Sequence, residues 1–314
     1  MKKYNVVVIG LGRIGFKNGF DKKRKQPASH IEAIKMNKRL VLTAVCDNLE
    51  KSRIVFQKKY KKNVKIFSNY NKLIEEINHE KLKCDILVIA TSDNTHEEIL
   101  TNIARNILKN KSMLVFCEKP ISNDLKSAIR IRSKFRKYNL KLIINHSRRW
   151  SKVWNKAFVL SEKLGDINNS ALYFSTSPEN KSKNQLRDGI HIADIGNWFK
   201  LDNKFLIKRI DVDYFIYDFH LWGELGKIEI LNNGKILKYY KSKISKNYQG
   251  FKELHLKKSF IFRESMLENS YNEFVNYLDG KIVNMSTDLD DAISSMRFFE
   301  KFVSDKNPIR EMER

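Results

Sequence analysis

Tyr4-Asn5-Val6-Val7-Val8-Ile9-Gly10-Leu11-Gly12-Arg13-Ile14-Gly15 is the stretch on which the reading of the fold turns. A valine-rich apolar run, strand-like in composition, stops at once in a G-x-G-x-x-G pattern. The first glycine permits a tight turn, the second lets the backbone approach a pyrophosphate, and the third lets helix and strand pack closely. The helix N-terminus that follows supplies positive dipole and free N–H groups. Alone the pattern is weak, but its place directly behind an N-terminal strand strengthens it. Gly10, Gly12, Arg13, Ile14 and Gly15 are therefore candidate dinucleotide-binding residues.

Outward from there, residues 40–46 read as a second strand ending in Asp47, the right kind of residue to accept hydrogen bonds from an adenosine ribose. Its distance from the glycines exceeds the ~20 residues usual for the motif. The excess lies in residues 16–29, a polar and basic stretch ahead of His30-Ile31-Glu32-Ala33-Ile34, read as a loop insertion at the cofactor or substrate mouth. Asp47 would repel a 2′-phosphate, which favours NAD, while Lys51 and Arg53 leave NADP open.

Helices over residues 49–60 and 70–77 alternate with strands at 64–67 and 85–90, which implies a parallel sheet. The strand at 85–90 opens into Thr91-Ser92-Asp93-Asn94-Thr95-His96. Thr91, Ser92 and Asn94 are small polar groups suited to a cofactor. His96 fits either beside a nicotinamide or in a structural, helix-capping role.

After a helix at 97–108 comes Val115-Phe116-Cys117-Glu118-Lys119-Pro120, an apolar run that stops in an acid, a base and a helix starter. Ligands of open α/β sheets bind beyond the carboxyl ends of the strands, so this run delivers Lys119 to a reaction site. The bland reading is a solvated lysine at a strand end. A helix at about 124–138 and a strand at 142–144 close a first domain, residues 1–145.

Residues 146–314 have another rhythm. Asn145-His146-Ser147-Arg148-Arg149-Trp150 leads into a helix at 151–164, then a strand at 171–175 and a helix at 189–199. On that helix His191 and Asp194 stand three apart and share a face, fit for catalysis or for plain hydrogen bonding. Strands at 214–219, 226–231 and 235–240, with Asn232-Asn233-Gly234 as a turn signal, imply an antiparallel sheet. Helices at 265–278 and 289–303 end the pattern. The fold class is α/β: a doubly wound parallel sheet followed by an α+β domain with an open, mainly antiparallel sheet.

A chain of 314 residues suggests about two domains. With 42% hydrophobic and 31% charged residues and no apolar run near the ~20 needed to span a bilayer, no membrane is expected. Met1-Lys2-Lys3-Tyr4 runs straight into a strand without a signal-peptide core, which gives a cytoplasmic expectation. Cys46, Cys84 and Cys117 are widely spaced, so neither a disulfide framework nor a zinc site is expected. The net charge of +24 could advertise nucleic-acid binding, but the lysines are dispersed and no nucleic-acid motif organises them. Nucleic acid ranks last among partners; a basic field would still attract an anionic cofactor or substrate.

Taken together these residues resemble the NAD(P)-dependent oxidoreductases typified by glucose-fructose oxidoreductase and inositol 2-dehydrogenase. The matching elements are Gly10 to Gly15, Asp47, Thr91 to His96, Glu118-Lys119-Pro120, Arg148-Arg149 and His191-Ile192-Ala193-Asp194, in the family's order. The Glu-Lys-Pro triplet is the most diagnostic. The resemblance implies a Rossmann first domain with Glu118 in the cofactor site. It also implies a second domain whose free sheet face mediates a homo-oligomer, dimer or tetramer, and an active site between the domains. Lys119 would contact both nicotinamide ribose and substrate, and His191 would act in proton transfer. One departure stands out: many members carry an Asp four residues before the His, where this chain has Arg187, with Asp188 one residue nearer. Asp188 is either a residue facing the substrate or a helix N-cap.

The implied reaction is hydride transfer between a nicotinamide and a secondary alcohol or ketone of a carbohydrate: a sugar, nucleotide sugar or cyclitol. The hydroxyl proton needs a base, and Lys119 and His191 are assigned as a pair. Arg148 and Arg149 suit a substrate carboxylate or phosphate, or a structural ion pair. Trp150, Trp154 and Trp198 read as core. Rival functions are an NAD-dependent glycoside hydrolase of the same fold and a non-catalytic NAD(P)-binding sensor.

Overall fold

The computed structural model describes residues 1–60, 63–107, 112–175 and 185–304; the side chains of Gln185, Arg187, Asp188 and Asn203 lie outside the described residues. Met1–Ser147 and Ser265–Ile293 form one unit, and Arg148–Glu264 with the chain from Ser294 forms another.

In the first unit the Val-, Ile- and Leu-rich runs form β1 (Tyr4–Ile9), β2 (Leu40–Cys46), β3 (Lys65–Phe67), β4 (Ile86–Ile89), β5 (Leu114–Cys117) and β6 (Lys141–Ile144). They pair in parallel in the order β3-β2-β1-β4-β5-β6. Helices α2 (Glu50–Lys59), α3 (Tyr70–Asn78), α4 (His96–Asn106) and α5 (Leu125–Lys137) alternate with these strands. β4 and β5 are buried at every position, as strands covered on both faces must be. Register sets Ile9 beside Ile89, Ile89 beside Cys117 and Cys117 beside Ile144. Gly10, Ala90, Glu118 and Asn145 therefore emerge in one row at the carboxyl edge, where strand order reverses between β1 and β4.

The helix expected straight after the glycines is split. One turn forms, with the amides of Phe16 and Lys17 on the Gly12 carbonyl at 3.0 and 2.9 Å. The chain then leaves for the insertion and returns as α1 (His30–Met36), whose His30 and Ile31 amides take up the Ile14 and Gly15 carbonyls at 2.9 and 3.1 Å. The returning helix thus supplies donors to two carbonyls of the interrupted first turn, which joins the insertion's far end back to the glycine loop. Within the insertion, Phe16 packs edge-on to Phe20 and Phe56, and Gln26 Nε2 donates to the Asn18 and Asp21 carbonyls.

Helix α8 (Met266–Leu278) belongs to this same unit. Phe274 packs 4.7 Å from Phe116 of β5, and Asp279, just past the helix, accepts from Tyr4 at 2.7 Å and pairs with Arg39 at 2.6 Å.

The second unit contains α6 (Lys152–Ser161), β7 (Ile167–Phe174), α7 (Gln185–Trp198), β8 (Phe205–Arg209), β9 (Tyr217–Gly223), β10 (Gly226–Leu231), β11 (Ile236–Ile244) and β12 (Lys252–Ile261), and it takes in most of α9 (Leu289–Ser304). Its sheet runs β12-β11-β10-β9-β7-β8, antiparallel except for the parallel β7–β8 pair. Alternation puts Phe219, Leu221, Ile228, Ile230 and Leu237 in the core beside Trp154 and Ile195. The strand expected at 214–219 starts instead at Tyr217: Tyr214 and Phe215 are exposed, and the alternation of buried Tyr217, Phe219 and Leu221 continues to Gly223. Asn232, Asn233 and Gly234 all have positive φ and turn β10 into β11. No described helix is long and apolar enough to cross a membrane.

Candidate functional site

The glycine loop is built as its sequence requires. Gly10 has φ of +101°, and a Cβ there would lie 2.5 Å from the Ala90 carbonyl oxygen; on Gly15 it would lie 2.0 Å from the Gly10 oxygen. A Cβ on Gly12 would meet nothing within 4 Å. That open backbone face fits a pyrophosphate, and Arg13 beside it is exposed while Ile14 is half-buried.

Asp47 closes the loop from the end of β2. Its Oδ2 accepts from the Leu11 amide at 2.7 Å and its Oδ1 from the Leu49 amide at 2.9 Å. A carboxylate oxygen can accept more than one hydrogen bond, so Asp47 can brace the loop and still receive a ribose hydroxyl. Arg53 Nη1 donates to the Asp47 and Asn48 carbonyls at 2.8 and 2.9 Å, which parks its guanidinium at the same corner.

At the end of β4, the Thr95 hydroxyl lies 2.8 Å from that of Thr91 and donates to the Ser92 carbonyl at 2.7 Å. Ser92 and Asn94 are exposed, and Asn94 lines a polar groove with Tyr70, Glu97 and Asn102. His96 is buried: Nδ1 lies 2.7 Å from the Pro120 carbonyl and Nε2 3.3 Å from that of Thr91. Burial lowers its pKa below the ordinary histidine value. A neutral ring has one N–H to donate, and the shorter contact assigns it to Pro120.

The turn carrying Lys119 is thus held from both sides. The Glu118 amide bonds the Ile89 carbonyl at 2.9 Å, and its Oε1 receives Asn145 Nδ2 at 2.6 Å and His30 Nε2 at 2.9 Å. Burial pushes the Glu118 carboxyl up, but His30, Asn145 and Lys119 outweigh it and hold the group below the usual carboxylate range. Lys119 itself is half-buried, and the bond to Pro120 is cis. The roles of His30 and Asn145 escape sequence reading; the available signal was that an acid at the end of a buried strand needs partners.

In the second unit Arg149 is buried and grips Asp194, with Nη2 to Oδ1 at 2.9 Å and Nε at 3.2 Å; Ser295 donates to the same oxygen at 2.9 Å. Arg148 is half-buried and lies 4.4 Å over the Tyr217 ring. His191 is half-buried on α7, whereas the side chain of Asp188 lies outside the described residues. Trp150 and Trp154 are buried, and Trp198 stacks on Phe158 at 5.3 Å.

Residues 4–146 match the family described as an oxidoreductase family with an NAD-binding Rossmann fold. The myo-inositol 2-dehydrogenase of Thermotoga maritima is 29% identical over 149 residues, which cover 48% of this chain and 38% of that protein's length. Among solved structures, an oxidoreductase from Agrobacterium radiobacter in complex with NAD+, L-tartaric acid and magnesium superposes with a TM-score of 0.70 at 14% identity, covering 95% of each chain. The transcriptional regulator Gal80p of Kluyveromyces lactis gives a TM-score of 0.70 at 16% identity, covering 97% of this chain and 93% of its own. At such identities the structural matches speak for the fold.

Proposed function

We propose that this protein, whose residues 4–146 match an oxidoreductase family with an NAD-binding Rossmann fold, is a dehydrogenase or reductase of carbohydrate CH–OH groups. Its substrate class would be a sugar, nucleotide sugar or cyclitol. The observation that carries the reading is the Lys119 turn, braced by Glu118 and Pro120 at the carboxyl edge that also bears the glycine loop.

The Gly10–Gly15 loop and Asp47 would hold the dinucleotide, favouring NAD; Arg53 leaves NADP in play. Bound there, the nicotinamide supplies a hydride acceptor or donor. As the substrate carbon is oxidised its hydroxyl proton must pass to a base, and Lys119 and His191 share that role in this reading. Arg148, half-buried with its guanidinium over Tyr217, and Arg149, which grips Asp194, are the candidates for a substrate anion in this reading. Asp188 remains a candidate beside His191. A second copy of the chain would cover the face of the second sheet that carries Tyr173, His220 and Trp222.

A screen for NAD or NADP reduction against polyols, sugar acids and nucleotide sugars tests this reading, with Lys119→Ala alongside. Turnover at the wild-type level in that variant would overturn the assignment of Lys119. The likeness to Gal80p supports a second reading, a regulator that binds NAD(P) without turnover; cofactor binding with no reduction by any of these compounds would favour it. Redox-neutral glycoside cleavage without net NADH would instead mark a hydrolase.

A further inference from the structure

A polar chain centred on Glu118, the residue before Lys119, takes in His30, Asn145 and Tyr271, three residues that have no part in the reading above. The Tyr271 hydroxyl of α8 lies 2.9 Å from His30 Nδ1, His30 Nε2 lies 2.9 Å from Glu118 Oε1, and Asn145 Nδ2 lies 2.6 Å from that same oxygen. His30 is wholly buried, and the Glu118 side chain is 11% exposed. An ionised carboxylate only accepts, so the imidazole carries its proton on Nε2; in the neutral ring Nδ1 then accepts from Tyr271. Replacing such buried polar groups by well-packed apolar residues is often neutral or stabilising, so stability alone does not account for the chain. His30 has a second attachment, its amide on the Ile14 carbonyl of the glycine loop at 2.9 Å. One residue therefore bonds the cofactor loop through its backbone and the Glu118-Lys119 turn through its side chain.

We propose that His30 is a positioning residue for Lys119: by holding the Glu118 carboxylate it fixes the turn that carries the lysine and ties that turn to the glycine loop. The role rests on the reading that Lys119 takes part in proton transfer. Its physical content, however, is a constraint on the environment of Lys119 that needs no substrate to be measured.

The test is competitive acetylation of the full chain by acetic anhydride at one pH, with Lys119 quantified by peptide mass spectrometry against the exposed Lys72. His30→Leu is expected to change the Lys119-to-Lys72 labelling ratio by about threefold or more, equivalent to about half a pKa unit. His30→Gln, which can still donate to Glu118, should return it most of the way. A wild-type ratio in His30→Leu, or a Gln variant displaced as far as the Leu variant, would overturn the proposal. If His30→Leu lacks the wild-type circular dichroism spectrum, Tyr271→Phe carries the test: a shift in the ratio supports the link, and an unchanged ratio overturns it. Undiminished turnover in Lys119→Ala would remove the catalytic reading and leave this link standing, so the two failures are distinguishable.

Discussion

The Leu11 amide donates to Asp47 Oδ2 at 2.7 Å, so the acid at the end of β2 is part of the glycine loop's own structure as well as a candidate ribose acceptor. Asp47→Ala should therefore weaken NADH binding beyond the loss of one ribose contact. A drop of about tenfold or more is expected, since leaving a buried amide unpaired costs about 1–3 kcal/mol. Asp47→Asn, which keeps an acceptor for Leu11, should fall between that variant and wild type. Fluorescence titration with NADH measures both, and equal affinity in all three proteins would count against the brace.

Lys119→Ala should lower kcat by about 10²–10⁴-fold on whichever substrate the screen identifies, the usual contribution of a positioned acid or base. NADH affinity should change far less, because the pyrophosphate loop is untouched. Steady-state kinetics beside a binding titration separates the two effects.

Burial keeps His96 neutral, and the sign of its pH effect follows. Its folded pKa lies below the unfolded value of 6.5, so the unfolded chain binds the extra proton first as pH falls. Stability associated with His96 is complete above that value and declines below it. Thermal unfolding of His96→Gln should show a shallower fall in Tm from pH 6.5 towards pH 5 than wild type. His220, whose pKa burial also lowers, contributes equally to both proteins and drops out of the difference.

Arg149 and Arg148 should separate cleanly. Arg149→Met leaves the Asp194 carboxylate buried without its cation and is expected to cost about 3–5 kcal/mol in urea unfolding. Arg148 is half-buried where Arg149 is buried, so Arg148→Met should cost less stability than Arg149→Met, and it should raise KM for an anionic substrate. Comparable destabilisation by both would argue against assigning them different work.

The parts legible in the sequence are those whose signal is local. β1 with its glycines, β4 and β5 announce themselves because a strand covered on both faces must be apolar throughout. The split first helix was not legible: residues 16–29 read as an insertion, but only the structure shows His30 and Ile31 reclaiming the Ile14 and Gly15 carbonyls. Tyr214 and Phe215 favour strands by residue type, yet the chain leaves them in solvent and begins β9 at Tyr217. The brace on Glu118 joins residues 88 positions apart, and Tyr271 stands 241 from His30. No periodicity encodes such partners. Asp194 marks the opposite limit: its helix face is readable, but its ion pair with Arg149, 45 positions away, is not.

The return of Ser265–Ile293 to the first unit has a consequence for the order in which the molecule can be made. The peptide passes from one unit to the other at Ser147, at Glu264 and again at Ile293. A ribosome that has released residues 1–147 has delivered six parallel strands whose Phe116 still lacks Phe274 and whose His30 still lacks Tyr271. N-terminal units commonly finish folding first during synthesis. Here the N-terminal unit has to wait, its sheet assembled but its last wall missing, until nearly the entire second unit has emerged.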